Sequence, residues 1–263
     1  MRRLLLPCLF AVAACSPRTE PVLTLADDDE LETDVDELAA DAETPNPSLC
    51  TFAGLALCDG FEQPQVQSPP WYFVNYAASV TLDTERFFRG TRALHVRTDA
   101  EPDPERQGVR MGEITQTAVV PQDTFYARVF AYVQTPLPGR TFRMLGLLQA
   151  DAPNEGPMLW IDDGNLTLSA NAAYVRSATS LPLDRWTCLE WRVLSGVTGE
   201  MQFWVDGAEV TDLAYSGDTS MAPQPVGRFS IGAALFGDTA TRPPLDIWYD
   251  ELGLDDARIG CSR

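Results

Sequence analysis

The stretch from Trp186 to Gly207, WTCLEWRVLSGVTGEMQFWVDG, decides the fold that the sequence predicts. Its outer parts, Trp186–Leu194 and Met201–Val205, are rich in aromatic and β-branched residues over the length of a strand. Asp206-Gly207 at its end is the strongest hairpin signal in the chain, because these residues tolerate the left-handed conformation of a two-residue turn. The stretch therefore predicts antiparallel strands joined by tight turns.

The same pattern of short strands continues on both sides of this stretch, from Leu49 onward. Asp162-Asp163-Gly164-Asn165 is a second hairpin turn, and no long stretch keeps the 3.6-residue period of a helix. We expect an all-β antiparallel sandwich. The other predicted strands are Ala93–Arg97, Val109–Thr117, Phe125–Gln134, Phe142–Gln149, Met158–Asp162, Asn165–Ala170, Arg228–Ala233 and Leu245–Leu254.

The order of these motifs resembles a concanavalin A-like jelly roll, the fold of many lectin, laminin-G-like, glucanase and polysaccharide lyase domains. The WVDG hairpin, the early Gly90–Val96 strand and the final Ile247–Leu254 strand carry the resemblance, which spans about residues 58 to 261. It implies two large antiparallel sheets, one of them curved, with a concave face that often binds glycans. It also implies that the last strand pairs with the first, here Cys58–Glu62.

The N-terminus resembles the signal peptide of a bacterial lipoprotein. Met1-Arg2-Arg3 is positively charged, Leu4–Ala11 is apolar, and small residues precede Cys15. The resemblance implies cleavage after residue 14, acylation of Cys15 and anchoring in a membrane. Ser16 in the next position favours the outer membrane of the cell envelope. The alternative is an ordinary signal peptide cleaved after an alanine.

Residues 15–49 form a segment of different composition from the rest of the chain. Between Glu20 and Glu43 there are eleven acidic residues and no basic one. Such a segment cannot bury enough apolar surface to fold, so we expect a disordered tether before a single domain at residues 50–263. A calcium loop at Asp34, Asp36 and Glu37 is the alternative, although the spacing with its turn glycine is missing.

Charge and cysteine content restrict the partners and the compartment. The formal net charge of −19 argues against a nucleic-acid partner, which needs a basic patch. Apart from Cys8 and Cys15, four cysteines remain, and an even number in an exported protein predicts two disulfides with three conceivable pairings. We favour Cys50–Cys58, which closes a short loop, and Cys188–Cys261, which ties the chain end to a core strand. A zinc site is the alternative, although there is no C-x-x-C pair.

The motifs of jelly-roll enzymes are missing, and we therefore lean towards a protein that is not an enzyme. The glycosidase pattern E-x-D-x-x-E does not occur in any predicted strand, and we expect Asp246, Asp250 and Glu251 to face solvent beside Trp248. The arginine-rich lyase motif has only a weak counterpart at Arg110–Glu113, and Gln149 alone matches the glutamine–histidine motif. We expect His95, the sole histidine, to hold an ordinary strand position.

A polysaccharide-binding module without catalysis is the function that the sequence favours. A divergent lyase or glycosidase, and a structural or protein-binding lipoprotein, are the alternatives. Polar residues within predicted strands are candidates for a glycan groove, with a tryptophan at its edge for stacking. Solvent exposure on an outer face is the competing explanation for them, and we expect Trp186, Trp191, Trp204 and Trp248 to be core residues. Calcium is common in the fold, but the sequence singles out no ligands for it. The candidates for glycan binding are Arg110, Glu113, Arg128, Gln149, Trp160 and Trp71.

Overall fold

The computed structural model describes residues 46–51, 54–65, 71–116, 123–148, 156–170, 173–219 and 228–262. These residues form sixteen strands and three short 3-10 turns, at Leu49–Thr51, Pro104–Arg106 and Thr211–Leu213. No helix in these ranges is long and apolar enough to cross a membrane. The strands are β1 Leu57–Asp59, β2 Trp71–Tyr76, β3 Ala78–Asp83, β4 Ala93–Thr98, β5 Arg110–Gln116, β6 Thr124–Val133, β7 Phe142–Leu148, β8 Met158–Asp162, β9 Asn165–Ala170, β10 Ala173–Ser180, β11 Trp186–Leu194, β12 Gly199–Val205, β13 Ala208–Glu209, β14 Tyr215–Gly217, β15 Arg228–Leu235 and β16 Asp246–Asp255.

The strands form two antiparallel sheets, which confirms the predicted all-β sandwich. Sheet A has the order β13-β12-β11-β6-β16-β4-β3, with β1 added to β16 and β14 added to β12. Sheet B has the order β10-β9-β8-β7-β15-β5-β2. The first strand pairs with the last, as predicted, and Cys58 lies opposite Gly253.

The core lies between the sheets and follows the two-residue period of the strands. In β6, Phe125, Ala127 and Val129 point inward and are buried, as are Leu166 and Leu168 of β9. Side chains at the intervening positions lie on the outer faces. The division of each strand into core and outer positions therefore decides which residues can form a surface site.

The two predicted hairpin turns are present. Asp163 and Gly164 have φ of 51° and 81°, and Asp206 and Gly207 have φ of 51° and 82°. Positive φ at both central residues is the conformation of the hairpin turn that matches the twist of its strands. These turns join β8 to β9 and β12 to β13.

Both predicted disulfides are confirmed. Cys50 pairs with Cys58 and Cys188 with Cys261, with Cα–Cα distances of 5.3 Å and 5.9 Å. The second bond holds the C-terminal segment against the outer face of sheet A, where Cys188 packs beside Phe130. Asn46 accepts a backbone hydrogen bond from Gly90, so packed chain extends before the predicted boundary at residue 50.

Chain segments cover the outer face of sheet A, and this corrects the prediction that three carboxylates of the last strand face solvent. Asp250 and Glu251 are fully buried and Asp246 is nearly so, whereas all three were expected to face solvent. The backbone N–H groups of Phe88 and Arg89 donate to Asp250 Oδ2. Burial raises the pKa of Asp250 to about 8 and also raises that of Glu251.

The tryptophans expected in the core divide between two environments. Trp191 is buried between the sheets. Trp204 and Trp248 are buried on the outer face of sheet A, and Trp186 there is partly exposed. Five strands were not predicted, β2, β3, β10, β13 and β14, and two of these, β2 and β10, form the edges of sheet B.

Candidate functional site

A pocket of about 400 Å³ lies on the outer face of sheet B, over strands β2, β5, β15 and β7. Its lining combines apolar and aromatic side chains with four charged ones. Antiparallel pairing places Val74 of β2 opposite Glu113 of β5, and Tyr76 opposite Met111. The residues lining the pocket are Val74, Tyr76, Arg106, Val109, Met111, Glu113, Thr115, Arg143, Leu148, Arg228 and Phe236.

A buried ion pair between Glu113 and Arg143 forms the floor of the pocket. Arg143 Nε donates to Glu113 Oε1 at 3.0 Å, and Nη2 donates to Oε1 at 2.9 Å and to Oε2 at 3.0 Å. Both side chains are about 1% exposed. A charge can be buried at this depth only when it is paired, so each residue depends on the other.

The backbone of β15 lets this pair form between non-adjacent strands. Gly232 lies opposite Glu113, and a Cβ on it would stand 2.7 Å from Glu113 Cα. Only glycine therefore lets β15 pass this close to Glu113. Near Arg143 the hydrogen-bonding register of β7 shifts against both of its neighbouring strands, β15 and β8, which marks an irregularity in β7 there.

The walls of the pocket carry aromatic rings and further cations. The guanidinium of Arg106 lies 4.6 Å from the centre of the Tyr76 ring, and that of Arg143 lies 5.3 Å from the centre of the Phe236 ring. Arg228 is half-buried at the pocket, and its Nε has no hydrogen-bond partner among the described residues. An unpaired buried donor costs about 1–3 kcal/mol, so a ligand oxygen at this atom would be favoured.

Two of the six predicted glycan-binding residues belong to this face of sheet B. Glu113 lines the pocket. Trp160 lies on β8 opposite Arg143 and is half-buried, and its ring centre is 6.1 Å from that of Phe236. Trp160 Nε1 donates to Ser169 Oγ at 2.8 Å. These two residues therefore remain candidates.

The other predicted residues do not join them. Arg110 is buried and donates to the carbonyls of Ala100, Asp238 and Ala240, so it holds connecting segments in place. Arg128 lies on sheet A, buried under the chain end, where it donates to the carbonyl of Glu251. A groove shared by Arg110, Arg128 and Glu113 is therefore wrong, because only alternate positions of sheet B reach the pocket.

Trp71 and Gln149 complete the predicted set. Trp71 is 4% exposed, packs in the core, and donates from Nε1 to Asp59 Oδ2 at 2.7 Å, so it offers no stacking surface. Gln149 lies outside the described residues. Cys15, the signal peptide of residues 1–14 and most of the tether also lie outside them.

Sequence reasoning missed Arg143, Arg228 and Tyr76. Arg143 is a charged residue inside the otherwise apolar strand Phe142–Leu148, which is the same signal that singled out Arg110 and Arg128. Tyr76 lies at the end of β2, a strand that the sequence did not predict. Its position opposite Met111 depends on the pairing of β2 with β5.

His95 occupies sheet A, away from this face. Its ring stacks on Trp248 with centroids 4.2 Å apart, and its Nε2 lies 2.9 Å from Asp246 Oδ1. Among the described residues, no group of three histidine, cysteine, aspartate or glutamate side chains could hold a metal ion.

Comparison with known proteins finds solved structures with a similar fold. No protein-family model and no curated protein matches the sequence. The cellulose-induced protein Cip1 has a similar structure, with a TM-score of 0.61 and 16% identity over 78% of this chain and 100% of that one. An endo-β-1,4-glucuronan lyase from the fungus Trichoderma reesei has a TM-score of 0.56 and 16% identity, over 81% and 94% of the two chains.

A third similar structure is an alginate lyase of polysaccharide lyase family 7. It has a TM-score of 0.50 and 10% identity, over 68% of this chain and 82% of that one. At these identities the likeness concerns the fold. The described domain has the concanavalin A-like jelly roll that its motifs predicted.

Proposed function

We propose that this protein is a carbohydrate-binding module that holds a polysaccharide on the outer face of sheet B. The observation that carries the proposal is the pocket in which Tyr76 and Phe236 stand beside polar groups above the buried Glu113–Arg143 pair. Sugar rings bind through their apolar faces to aromatic side chains, and their hydroxyls bind to fixed polar groups. The pocket offers both kinds of surface within one cavity of about 400 Å³.

The charges at the pocket favour a glycan that carries carboxylates. The whole chain has a formal net charge of −19, yet the charged residues lining the pocket are three arginines and one glutamate. Because Glu113 is neutralised by Arg143, Arg106 and Arg228 leave the pocket locally positive. Two of the similar structures are a glucuronan lyase and an alginate lyase, and acidic polysaccharide of this class is the ligand that we propose.

The geometry supports binding without hydrolysis. A glycosidase of this kind needs two carboxyl groups about 5–10 Å apart on either side of the scissile bond. Glu113 is the one carboxylate among the described residues lining the pocket, and both its oxygens accept hydrogen bonds from Arg143. It is therefore held as a structural acceptor.

Elimination is the second candidate function, because Tyr76 shares the pocket with Arg106 and Arg228, the two arginines that are not paired with Glu113. An arginine that neutralises a uronate carboxylate and a hydroxyl that exchanges a proton are the two groups such a reaction needs. A lyase would release products with a new double bond, which absorb in the ultraviolet. Incubation of the protein with glucuronan or alginate therefore separates this candidate from pure binding.

The binding experiment compares Arg228→Ala with Arg185→Ala. Arg185 pairs with Asp206 on the surface and lies away from the pocket, so it is a matched control for the loss of one positive charge. We expect Arg228→Ala to weaken binding to glucuronan or alginate at least tenfold, the effect of losing a hydrogen bond to a charged group. Equal affinity of both variants, measured by calorimetry at unchanged melting temperature, would contradict the assignment of the pocket.

We also propose that Cys15 is acylated and anchors the domain to the outer membrane. The lipoprotein-like N-terminus of the sequence supports this proposal. Cys15→Ala, expressed in a Gram-negative host, should lose palmitate labelling and leave the membrane fraction, while Cys8→Ala should behave as wild type. Unchanged membrane partitioning of Cys15→Ala would refute it.

A further inference from the structure

The outer face of sheet B continues beyond the pocket to the strand β10 at its edge. Arg143 of the pocket lies on β7, three strand-to-strand steps from this edge, in the order β7-β8-β9-β10. Trp160 lies opposite Arg143, Met158 lies opposite Ser169, and Ser169 lies opposite Tyr174 of β10. Side chains at these positions share one face, because Trp160 Nε1 donates to Ser169 Oγ across it.

Tyr174 presents an exposed aromatic ring at the far end of this face. Tyr174 is 54% exposed. Its cross-strand partner is Ser169, and the residues on either side of that partner, Leu168 and Ala170, point inward and are buried in the core. Burial of its hydroxyl end, together with the nearby carboxylate of Asp162, raises the pKa of Tyr174. The hydroxyl of Tyr174 therefore lies near Asp162, while the residue as a whole is more than half exposed.

The surroundings of Tyr174 are polar and ordered. Asp162 accepts a hydrogen bond from Thr141 Oγ1 at 2.6 Å, and the guanidinium of Arg176 lies 3.5 Å from Asp162 Oδ2. Thr167 is buried on the same face, beside the hydroxyl of Tyr174. An aromatic platform surrounded by hydroxyl and carboxylate groups is suited to a sugar ring, which has an apolar face and a polar rim.

We propose that Tyr174 is a second stacking site for the same polysaccharide chain, so that the protein selects long oligosaccharides over short ones. This inference rests on the proposed function. Three strand spacings of about 4.8 Å separate β7 from β10, which is about 14 Å. A chain must therefore be several sugar units long to reach from Arg143 at the pocket to Tyr174.

Trp160 lies between the two ends and completes a line of aromatic groups across the strands. It is half-buried, and its indole N–H is already used by Ser169. Part of its ring is therefore accessible for contact with a bound sugar. The direction that this line predicts for the bound chain is perpendicular to the strands, from Tyr76 on β2 through Trp160 on β8 to Tyr174 on β10.

The test is calorimetric titration with glucuronan di-, tetra- and hexasaccharides. We expect the wild-type protein to bind the hexasaccharide more tightly than the disaccharide. Tyr174→Ala should weaken hexasaccharide binding about five- to tenfold, the effect of one aromatic stacking contact, and leave disaccharide binding unchanged. Tyr174→Phe keeps the ring and should retain most of the affinity for the hexasaccharide.

Val197→Ala is the control, because Val197 is 74% exposed on the connection between β11 and β12 of the other sheet. Equal hexasaccharide affinities for Tyr174→Ala and wild type would overturn the second stacking site, while Arg228→Ala would still report on the pocket. If the wild-type protein bound neither the oligosaccharides nor the polymers glucuronan and alginate, the proposed function itself would fail, and the second stacking site with it.

Discussion

Replacing Glu113 by glutamine should destabilise the domain far more than any surface substitution of the same kind. The change keeps the shape of the side chain but removes the charge that faces Arg143, whose guanidinium is 1% exposed. Removing one partner of a buried ion pair costs about 3–5 kcal/mol, because the other charge stays in a poorly solvated site. At about 2–4 °C for each kcal/mol in a domain of this size, the melting temperature should fall by roughly 6–20 °C.

Thermal and urea unfolding of three variants tests this reasoning. Glu200→Gln is the matched control, because Glu200 pairs with Arg192 and its side chain is 47% exposed, so we expect a loss of less than about 1 kcal/mol. The double variant Glu113→Leu/Arg143→Met removes both charges beside the apolar Met158 and Phe236 and should recover much of the lost stability. The reasoning is refuted if Glu113→Gln matches the control, or if the double variant is as unstable as the single one.

Three further outcomes follow from the fold. Replacing Cys188 and Cys261 by serine releases a loop with a sequence separation of 73 residues, so the free energy of unfolding should fall by about 4 kcal/mol. Unfolding experiments measure this change, and a serine variant as stable as the oxidised wild type would contradict it. Replacing Cys50 and Cys58, with a separation of 8, should cost only about 2.5 kcal/mol by the same measurement. The pKa of Asp250 rises on folding from 3.8 to about 8. At pH values between these two, the folded chain therefore binds more protons than the unfolded chain, and its free energy of unfolding falls as pH rises. Asp250→Asn should flatten this decline in a pH series of melting temperatures, and an unchanged slope would contradict the assignment.

Much of the fold follows from local sequence patterns. Met158–Asp162, Asn165–Ala170 and Trp186–Leu194 were predicted with the bounds that the structure has. Each of these strands is bounded by a turn signal. Its apolar residues either alternate with polar ones or make up most of the strand. In contrast, β10 was missed because Ala173–Ser180 is mostly exposed at the edge of a sheet and lacks the apolar residues that mark a buried strand.

The candidate site was only partly predictable. Polar residues within strands were the right signal, and they include Glu113 of the pocket. The signal also selected Arg110, which is buried at the start of β5 and donates to backbone carbonyls, and Arg128, which is buried on the other sheet. A polar residue in a strand indicates that something binds it, but the pattern alone does not distinguish a ligand from a backbone carbonyl of the same chain.

The sequence by itself indicated most of the strand-and-turn pattern and the disulfide pairing that we favoured, and its resemblance to a jelly roll implied the pairing of the first strand with the last. These depend on local conformational preferences, on the order of motifs along the chain and on the small number of cysteines. The tertiary structure alone decided which side chains share a face of sheet B. Glu113, Arg143 and Tyr174 lie far apart in sequence, and they share one face only because the hydrogen-bonding register fixes which side chains point outward on each of the six strands from β5 to β10. A shift of one residue in any of these pairings would turn the affected strand's side chains to the core, so the site is a property of the register.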